Sequence, residues 1–305
     1  MKNNPPLYNT YSQFLYNYFG EKVYKLPIKL NLTCPNRDGT LAIGGCTFCG
    51  EEGGSFENTD GTIANQLELN KARVIKRFKA KKFIAYFQNF TNTYVDFESF
   101  KANVEAALIS DIVGVSISTR PDCLSEEVLD YLAEVNKTYF VTLEIGLQTA
   151  NYHTLHKVNR GHGTADFVDA VLRAHRRGLR VCAHVILNLP YDDTLDTVET
   201  SKLISVLGVE EVKLHALYIV KNTVMGELYQ SGKIDIISLD DYEKRVILFL
   251  QHLSADVVVQ RLIGRAPEEN ALFCNWNTSW WKIRDAIVAK MEQSNAYQGQ
   301  YYERT

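Results

Sequence analysis

Short apolar, β-branched runs alternate along the chain with stretches whose apolar residues recur every three or four positions. The runs predict strands over Leu26–Leu32, Lys82–Phe87, Ile112–Ser118, Phe140–Leu147, Arg180–Leu187 and Glu211–Val220. The intervening stretches predict helices over Gln66–Lys79, Phe97–Ile109, Ser125–Val135, Thr164–Arg177 and Thr194–Leu207. Start and stop signals agree with these bounds. Ser125-Glu126-Glu127-Val128 is close to a capping box, which satisfies orphan N–H groups of a first turn. Gly178 and Gly208 follow two of the helices, where a glycine can take the left-handed conformation that ends a helix. Strands and helices alternating at this spacing make parallel βαβ units. Six units predict an α/β fold, a barrel or partial barrel over residues 1–235. Residues 236–305 read as a short, mainly helical C-terminal extension packed on that core, with one apolar run at Val257–Leu262.

In such barrels the functional groups gather where strands end. The exits here are polar: Thr33-Cys34-Pro35, Gln88-Asn89, Thr119-Arg120-Pro121-Asp122, Gln148-Thr149, Asn188-Leu189-Pro190 and Lys221-Asn222-Thr223. Surface loops are polar anyway, but six such exits together favour a site.

Composition narrows the class. The chain has 305 residues, 46% hydrophobic and 23% charged, with a formal net charge of −3. These values fit a globular protein and argue against disorder or a disulfide scaffold. No apolar run approaches the ~18 residues that span a bilayer, and the N-terminus lacks the apolar core of a secretory signal. A cytoplasmic location with no membrane partner is expected. The six cysteines are then thiols or metal ligands. The acidic balance does not advertise a nucleic-acid binder, so a polyanion would have to meet a local patch.

Three cysteines concentrate in Cys34-Pro-Asn-Arg-Asp-Gly-Thr-Leu-Ala-Ile-Gly-Gly-Cys46-Thr-Phe-Cys49, beginning where the first predicted strand ends. Gly50, Gly53 and Gly54 follow, and glycine lets backbone wrap closely around a bulky group. Thiolates suit zinc and iron–sulfur clusters alike. A closed zinc site needs a fourth ligand, which Cys123, Cys182 or a distant histidine would have to supply. A [4Fe–4S] cluster on three cysteines leaves one iron open to an outside ligand.

The loop resembles that of the radical S-adenosylmethionine (SAM) superfamily, and its long first spacing resembles the branch containing the catalytic subunit of Elongator. The whole chain is similar to a small bacterial family with Cys-Pro-Asn-Arg-Asp-Gly and Gly-Gly-Cys-x-Phe-Cys. Further matches are Tyr86-Phe87-Gln88, Thr91-Asn92-Thr93-Tyr94, Thr119-Arg120-Pro121-Asp122-Cys123-Leu124, Glu144-Ile145-Gly146-Leu147-Gln148, Asn159-Arg160-Gly161-His162 and Gln298-Gly299. The resemblance implies a partial (β/α)6 barrel of radical SAM type. It also implies a [4Fe–4S] cluster on Cys34, Cys46 and Cys49, bound SAM, and a reducing electron donor such as flavodoxin or ferredoxin. The implied substrate is tRNA, with 5-carboxymethylaminomethyl-(2-thio)uridine at the wobble position converted to the 5-aminomethyl form.

Under that resemblance other residues acquire expected roles. Glu144 lies in an otherwise apolar strand, where a carboxylate is costly unless paired; it would take the SAM amino group or ribose, or else form a buried ion pair. Gln148 would bond the ribose, and Arg160 would meet the SAM carboxylate through a bidentate fork. Gln88 stands where relatives carry a Gly-Gly-Glu segment that receives the SAM amino group, and it and Ser118, which ends the third strand, are expected to contact SAM. Arg120 would hold SAM or a substrate carboxylate. His184 and His215 read either as core histidines or as lumen-facing proton carriers. Lys71, Arg73, Lys76, Arg77, Lys79, Lys81 and Lys82 form a stretch of seven cations without an acid, a candidate RNA contact or an ordinary solvated helix face. Arg173, Arg176, Arg177 and Arg180 form a second cluster. Trp276, Trp280 and Trp281 would stack a base or fasten a terminal helix. The rivals are a radical SAM enzyme for a small metabolite or protein, and a non-catalytic zinc-binding module.

Overall fold

The apolar runs become the strands of one parallel sheet in the computed structural model, which describes residues 6–50, 61–265 and 270–303. Gly53 and Gly54 lie outside the described residues. The strands are β1 (Val23–Ile28), β2 (Lys82–Phe87), β3 (Ile112–Thr119), β4 (Phe140–Gln148), β5 (Arg180–Ile186) and β6 (Glu211–His215). Helices α1 (Tyr11–Phe19), α2 (Ile63–Phe78), α3 (Phe97–Ala107), α4 (Glu126–Asn136), α5 (Tyr152–Lys157), α6 (Thr164–His175) and α7 (Thr194–Val206) precede or connect them. Ser125 caps α4 by accepting from the Val128 N–H. Beyond β6 come β7 (Ile219–Val220), α8 (Val224–Gln230), α9 (Leu239–His252), β8 (Val258–Arg261), β9 (Ala271–Phe273) and α10 (Trp280–Ser294). The sheet order is β1-β2-β3-β4-β5-β6-β8, all pairs parallel, a half-barrel with helices outside.

Three features depart from the sequence reading. The first strand ends at Ile28, not Leu32, so five irregular residues separate it from Cys34. There the backbone is held by side chains instead of a ladder: Lys29 N–H donates to Gln66 Oε1 at 2.8 Å and Leu30 N–H to Asn89 Oδ1 at 3.1 Å. The predicted Glu211–Val220 strand splits after His215, and β7 pairs antiparallel with β9 in a small separate ribbon. The Val257–Leu262 run contributes β8, a seventh strand beside β6.

Helix α1 was not foreseen. It packs against both β1 and β8, the two edges of the open sheet. Its aromatic side falls on Phe140, with Tyr18 and Phe19 ring-to-ring at 5.1 and 5.7 Å. The apolar core lies between sheet and helices. The inner face of the sheet is polar along its middle, which places charged groups in the lumen. None of the described helices is long and apolar enough to cross a membrane.

Candidate active site

Cys34, Cys46 and Cys49 lie beyond the carboxyl end of β1, on the wall of a cavity of about 1280 Å³. That exceeds the ~300–1,000 Å³ of a pocket for one drug-sized ligand. Two tight turns, Arg37 N–H to Cys34 O at 2.8 Å and Cys49 N–H to Cys46 O at 2.9 Å, shape the loop. Gly45 takes φ +85 beside the side chain of Arg37, a conformation that disfavours any other residue. The loop is clamped to the Asn159-Arg160-Gly161 turn. Asn36 Nδ2 donates to Asn159 O at 2.6 Å, Asn159 Nδ2 donates to Gly45 O at 2.9 Å, and Thr47 N–H donates to Val158 O at 2.9 Å. Gly161, at φ +74, lies so close that a Cβ would sit 2.4 Å from Asn36 Oδ1.

One arginine stands against each sulfur. Arg120 Nη1 is 4.0 Å from Cys34 Sγ, Arg160 Nη1 3.5 Å from Cys46 Sγ, and Arg37 Nη1 3.4 Å from Cys49 Sγ. Asn36 Nδ2 adds a contact of 3.6 Å to Cys46 Sγ. Burial, with neighbouring Cys46, raises the Cys49 pKa as a lone thiol, and Arg37 opposes the rise. Donors of this kind suit sulfurs that carry negative charge when ligated. The geometry speaks against a single zinc ion: Zn–S bonds near 2.3 Å put sulfurs about 3.8 Å apart. Among the described residues, the ligand atoms that all lie within 4.8 Å of one another belong to Glu144, Cys182 and His184, not to the loop cysteines. Three thiols on one cavity wall, each with a cationic donor, fit a larger cluster.

Two of the arginines differ in what remains available. Arg120 is fully engaged: Asp122 takes Nε at 2.9 Å and Nη2 at 2.7 Å, and Arg160 O accepts from Nη1 at 2.8 Å. It braces the rim. Arg160 keeps a buried Nε with no hydrogen-bond partner in the protein, a donor left for a ligand. Gln148 lies beside it at φ +72, where the register of β4 against β5 shifts. A non-glycine residue held there is strained, and such strain clusters at functional sites. Gly146 makes the arrangement possible, since a Cβ would fall 2.5 Å from Arg160 Nη2 and 2.7 Å from Gln148 Nε2. Gln88 also lines the cavity, half-buried at the end of β2.

Deeper in the lumen each strand supplies a polar side chain. Glu144 of β4 is fully buried, and its carboxylate is already occupied. Lys25 holds Oε1, while Lys213 and His184 hold Oε2, the last at 2.7 Å. These cations keep Glu144 well below the usual carboxylate range despite its burial, which opposes them. The partners are lysines, fitting the sequence's ion-pair alternative in kind though not as an arginine. Lys213 also donates to Tyr86 Oη at 3.1 Å, and Ser118 Oγ donates to the same oxygen at 3.2 Å. His215 receives Arg261 Nη2 at 2.8 Å. The two histidines face each other at 5.0 Å between rings. Burial and the nearby Lys213 pull His184 down to about 4, and burial with Arg261 pulls His215 well below its ordinary range. Both are lumen-facing and neutral at pH 7. Sequence reasoning missed Lys25, Lys213, Arg37 and Arg261. A lysine inside an apolar strand run was the available signal for Lys213.

The cavity wall is lopsided in charge. Ten of its lining residues are lysine or arginine, and Glu144 is the one carboxylate among those described. The surface patches fare differently. Lys71 pairs with Asp111 at 2.9 Å and Lys82 with Glu21 at 2.9 Å, while Arg73, Lys76, Arg77, Lys79 and Lys81 are exposed. The end of α2 leads directly into β2, so this stretch lies at the amino edge of the sheet, where Arg73 alone of the seven also lines the cavity. The second cluster is largely paired: Arg173 and Arg177 meet Glu126, Asp169 and Asp130, and Arg180 meets Glu211. Trp276 donates to Ile237 O at 2.8 Å and packs on Tyr242, which makes it a fastener. Trp280 is exposed at the cavity mouth beside Arg284, at 5.6 Å.

Comparison with known proteins follows this geometry. Residues 34–204 match the Radical SAM superfamily, and residues 209–293 match the Radical_SAM C-terminal domain. The chain is 38% identical to the uncharacterized protein YtqA of Bacillus subtilis, over 100% of this chain and 98% of that one. It is 36% identical to protein YhcC of Escherichia coli, covering 90% and 89% respectively. Human Elongator complex protein 3 is 27% identical over 47% of this chain and 26% of its own length. The solved structure of the archaeal Methanocaldococcus infernus Elp3 superposes with a TM-score of 0.70, at 15% identity, over 90% of this chain and 64% of that one.

Proposed function

Because the chain belongs to the radical SAM superfamily, whose members work with a [4Fe–4S] cluster and SAM, we propose that it is a radical SAM enzyme for the wobble uridine of tRNA. In this reading Cys34, Cys46 and Cys49 would hold the cluster, with SAM bound beside it. Together the two would supply radical chemistry for removing a hydrogen atom from the substrate. Arg160 receives the SAM carboxylate on its free Nε, and Gln148 takes the ribose. Gln88 offers backbone at the end of β2, and Ser118 fixes Tyr86 in the wall. Glu144, with its oxygens already held, anchors Lys25 and Lys213 instead of touching SAM. Neutral His184, whose Nε2–H is taken by Glu144, keeps Nδ1 as the acceptor for a proton leaving the substrate, and His215, whose acceptor nitrogen holds Arg261, lines the lumen beside it. The helices and α1 keep bulk water from the lumen, which a radical requires.

The carrying observation is the charge of the cavity. A chain of net charge −3 lines one cavity with ten cations and a single described carboxylate, and puts three thiols on its rim. Such a wall attracts a polyanion. Phosphates flanking an extruded nucleotide meet Arg265 and Arg284 at the mouth, with Trp280 as a stacking surface. Lys76, Lys79 and Lys81 reach more distant phosphates. Similarity to Elongator complex protein 3 supports a tRNA substrate. The reaction is the conversion of 5-carboxymethylaminomethyl-(2-thio)uridine to its 5-aminomethyl form. SAM would serve as the two-electron oxidant, ending as methionine and 5′-deoxyadenosine, while the methylene between nitrogen and carboxylate becomes an imine carbon whose hydrolysis releases glyoxylate. An electron donor such as flavodoxin or ferredoxin reduces the enzyme.

Mass analysis of tRNA nucleosides from a strain lacking the gene tests this. The carboxymethylaminomethyl nucleoside accumulates and the aminomethyl form disappears. An unchanged nucleoside profile overturns the substrate.

A further inference from the structure

The lumen contains a cation that pairs directly with no carboxylate among the described residues. Lys25 and Lys213 share Glu144, and Arg180 takes Glu211. Arg261 has no carboxylate within ion-pair distance among the described residues. Its Nη2 meets the neutral ring of His215, and its Nε is buried without a hydrogen-bond partner. Burying a charge without a counter-charge is expensive, so a protein retains such a group where a ligand supplies the missing partner. Arg261 and Lys213 are register partners on the adjacent strands β8 and β6, and both line the cavity. Lys213 gives two of its three N–H donors to the carboxylate it shares with Lys25 and to the phenol of Tyr86, which leaves the third for a ligand.

We propose that Arg261 and Lys213 form a seat for a carboxylate of the substrate, with Glu144 and Lys25 holding Lys213 in position. The inference rests on the proposed function, where the substrate side chain carries a carboxymethylamino group. Arg120, which the sequence suggested for this role, has both faces of its fork taken by Asp122. Arg160 stands at Cys46, on the side of the cofactor. The seat therefore separates recognition of the substrate carboxylate from recognition of SAM. It also distinguishes substrate from product, because the aminomethyl product has lost the carboxylate and brings only positive charge to the same cations. Repulsion then favours product release.

The test compares two anticodon stem–loop RNAs, one with 5-carboxymethylaminomethyl-uridine and one with 5-aminomethyl-uridine at the wobble position. Their Kd values are measured on holoenzyme, on Arg261→Gln and on Arg261→Lys. The unsubstituted protein prefers the carboxylate RNA by about tenfold or more, as truncating a buried charge pair implies. Arg261→Gln binds both RNAs equally, and Arg261→Lys restores part of the preference. The Tm of Arg261→Gln without RNA stays level or rises, since a lone buried cation contributes no stability. Equal binding of both RNAs by the unsubstituted protein overturns the seat while leaving the tRNA reading standing. A loss of several degrees in Tm for Arg261→Gln also overturns it, because the residue is then structural. If neither RNA binds, the tRNA reading falls and a small probe decides the seat. Millimolar N-methylglycine must raise the Tm of the unsubstituted protein more than that of Arg261→Gln, and equal shifts refute the seat.

Discussion

The cysteine rim and the barrel lumen both gather cations, but they dispose of them differently. At the rim each guanidinium has a designated sulfur, and Arg120 is locked further by Asp122. In the lumen two lysines share Glu144, and Arg261 is left with a neutral imidazole. Matched charges mark a place whose occupant has a fixed charge and position. Unmatched charge marks a place that waits for an anion brought from outside. The contrast separates a cofactor site from a substrate site inside one continuous cavity.

The largest effect falls on the rim. Alanine at Cys34, Cys46 or Cys49 abolishes iron and sulfide binding and SAM cleavage, while the far-UV circular dichroism stays unchanged. Cys123→Ala, outside the loop, retains both. Metal analysis of the reconstituted protein returns iron and sulfide; stoichiometric zinc without iron reverses the reading of the rim.

Next comes the lumen anchor. Glu144→Gln leaves the buried Lys213 and the half-buried Lys25 without their counter-ion, and removing one partner of a buried pair costs about 3–5 kcal/mol. At roughly 2–4 °C per kcal/mol for a chain of this size class, the Tm drops by about ten degrees. Arg261→Gln does not drop, and a shared loss erases the distinction drawn here.

A smaller loss follows from Gly161→Ala. Its φ of +74 and the 2.4 Å approach to Asn36 Oδ1 both oppose a side chain. Strain of this kind costs about 1–3 kcal/mol. Urea unfolding measures that cost, and iron occupancy falls with it because the clamp on the cysteine loop loosens.

The mildest effect is on pH. His184 lies at about 4 in the folded protein, against an ordinary 6.5. Between those values the unfolded chain holds a proton that the folded chain refuses, so stability falls as pH drops from 6.5 to 4 and levels off below. His184→Gln makes that slope shallower, and the part that remains belongs to the other depressed histidines, His215 among them. Glu144, held low by its lysines, keeps its contribution through the same window and loses it only in stronger acid.

Much of the frame was legible because it is local. Strands β2 to β5 begin at the residues that open the predicted apolar runs, since a strand buried against helices shows its burial in its own composition. Helix ends at Ser125, Gly178 and Gly208 were legible from side-chain capping and glycine's tolerance of positive φ. The first strand misled because Leu30 and Leu32 are apolar, yet the backbone of Lys29 and Leu30 is held by Gln66 and Asn89, far along the chain. Helix α1 was hidden because its rings answer to Phe140 and to the two sheet edges, not to a periodic neighbour.

The amino-acid sequence by itself determined the alternation that makes a parallel sheet, the residue types at the strand exits and the three thiols of one loop. Only the tertiary structure decided the pairings. It joined Lys25 to Glu144 across 119 positions, put Arg160 on Cys46 across 114, and left Arg261 on His215 with no ion pair to a described carboxylate. The physical reason is range. Propensity and periodicity act over a few residues, whereas the cost of a buried charge depends on whatever the sheet order brings within a few ångströms.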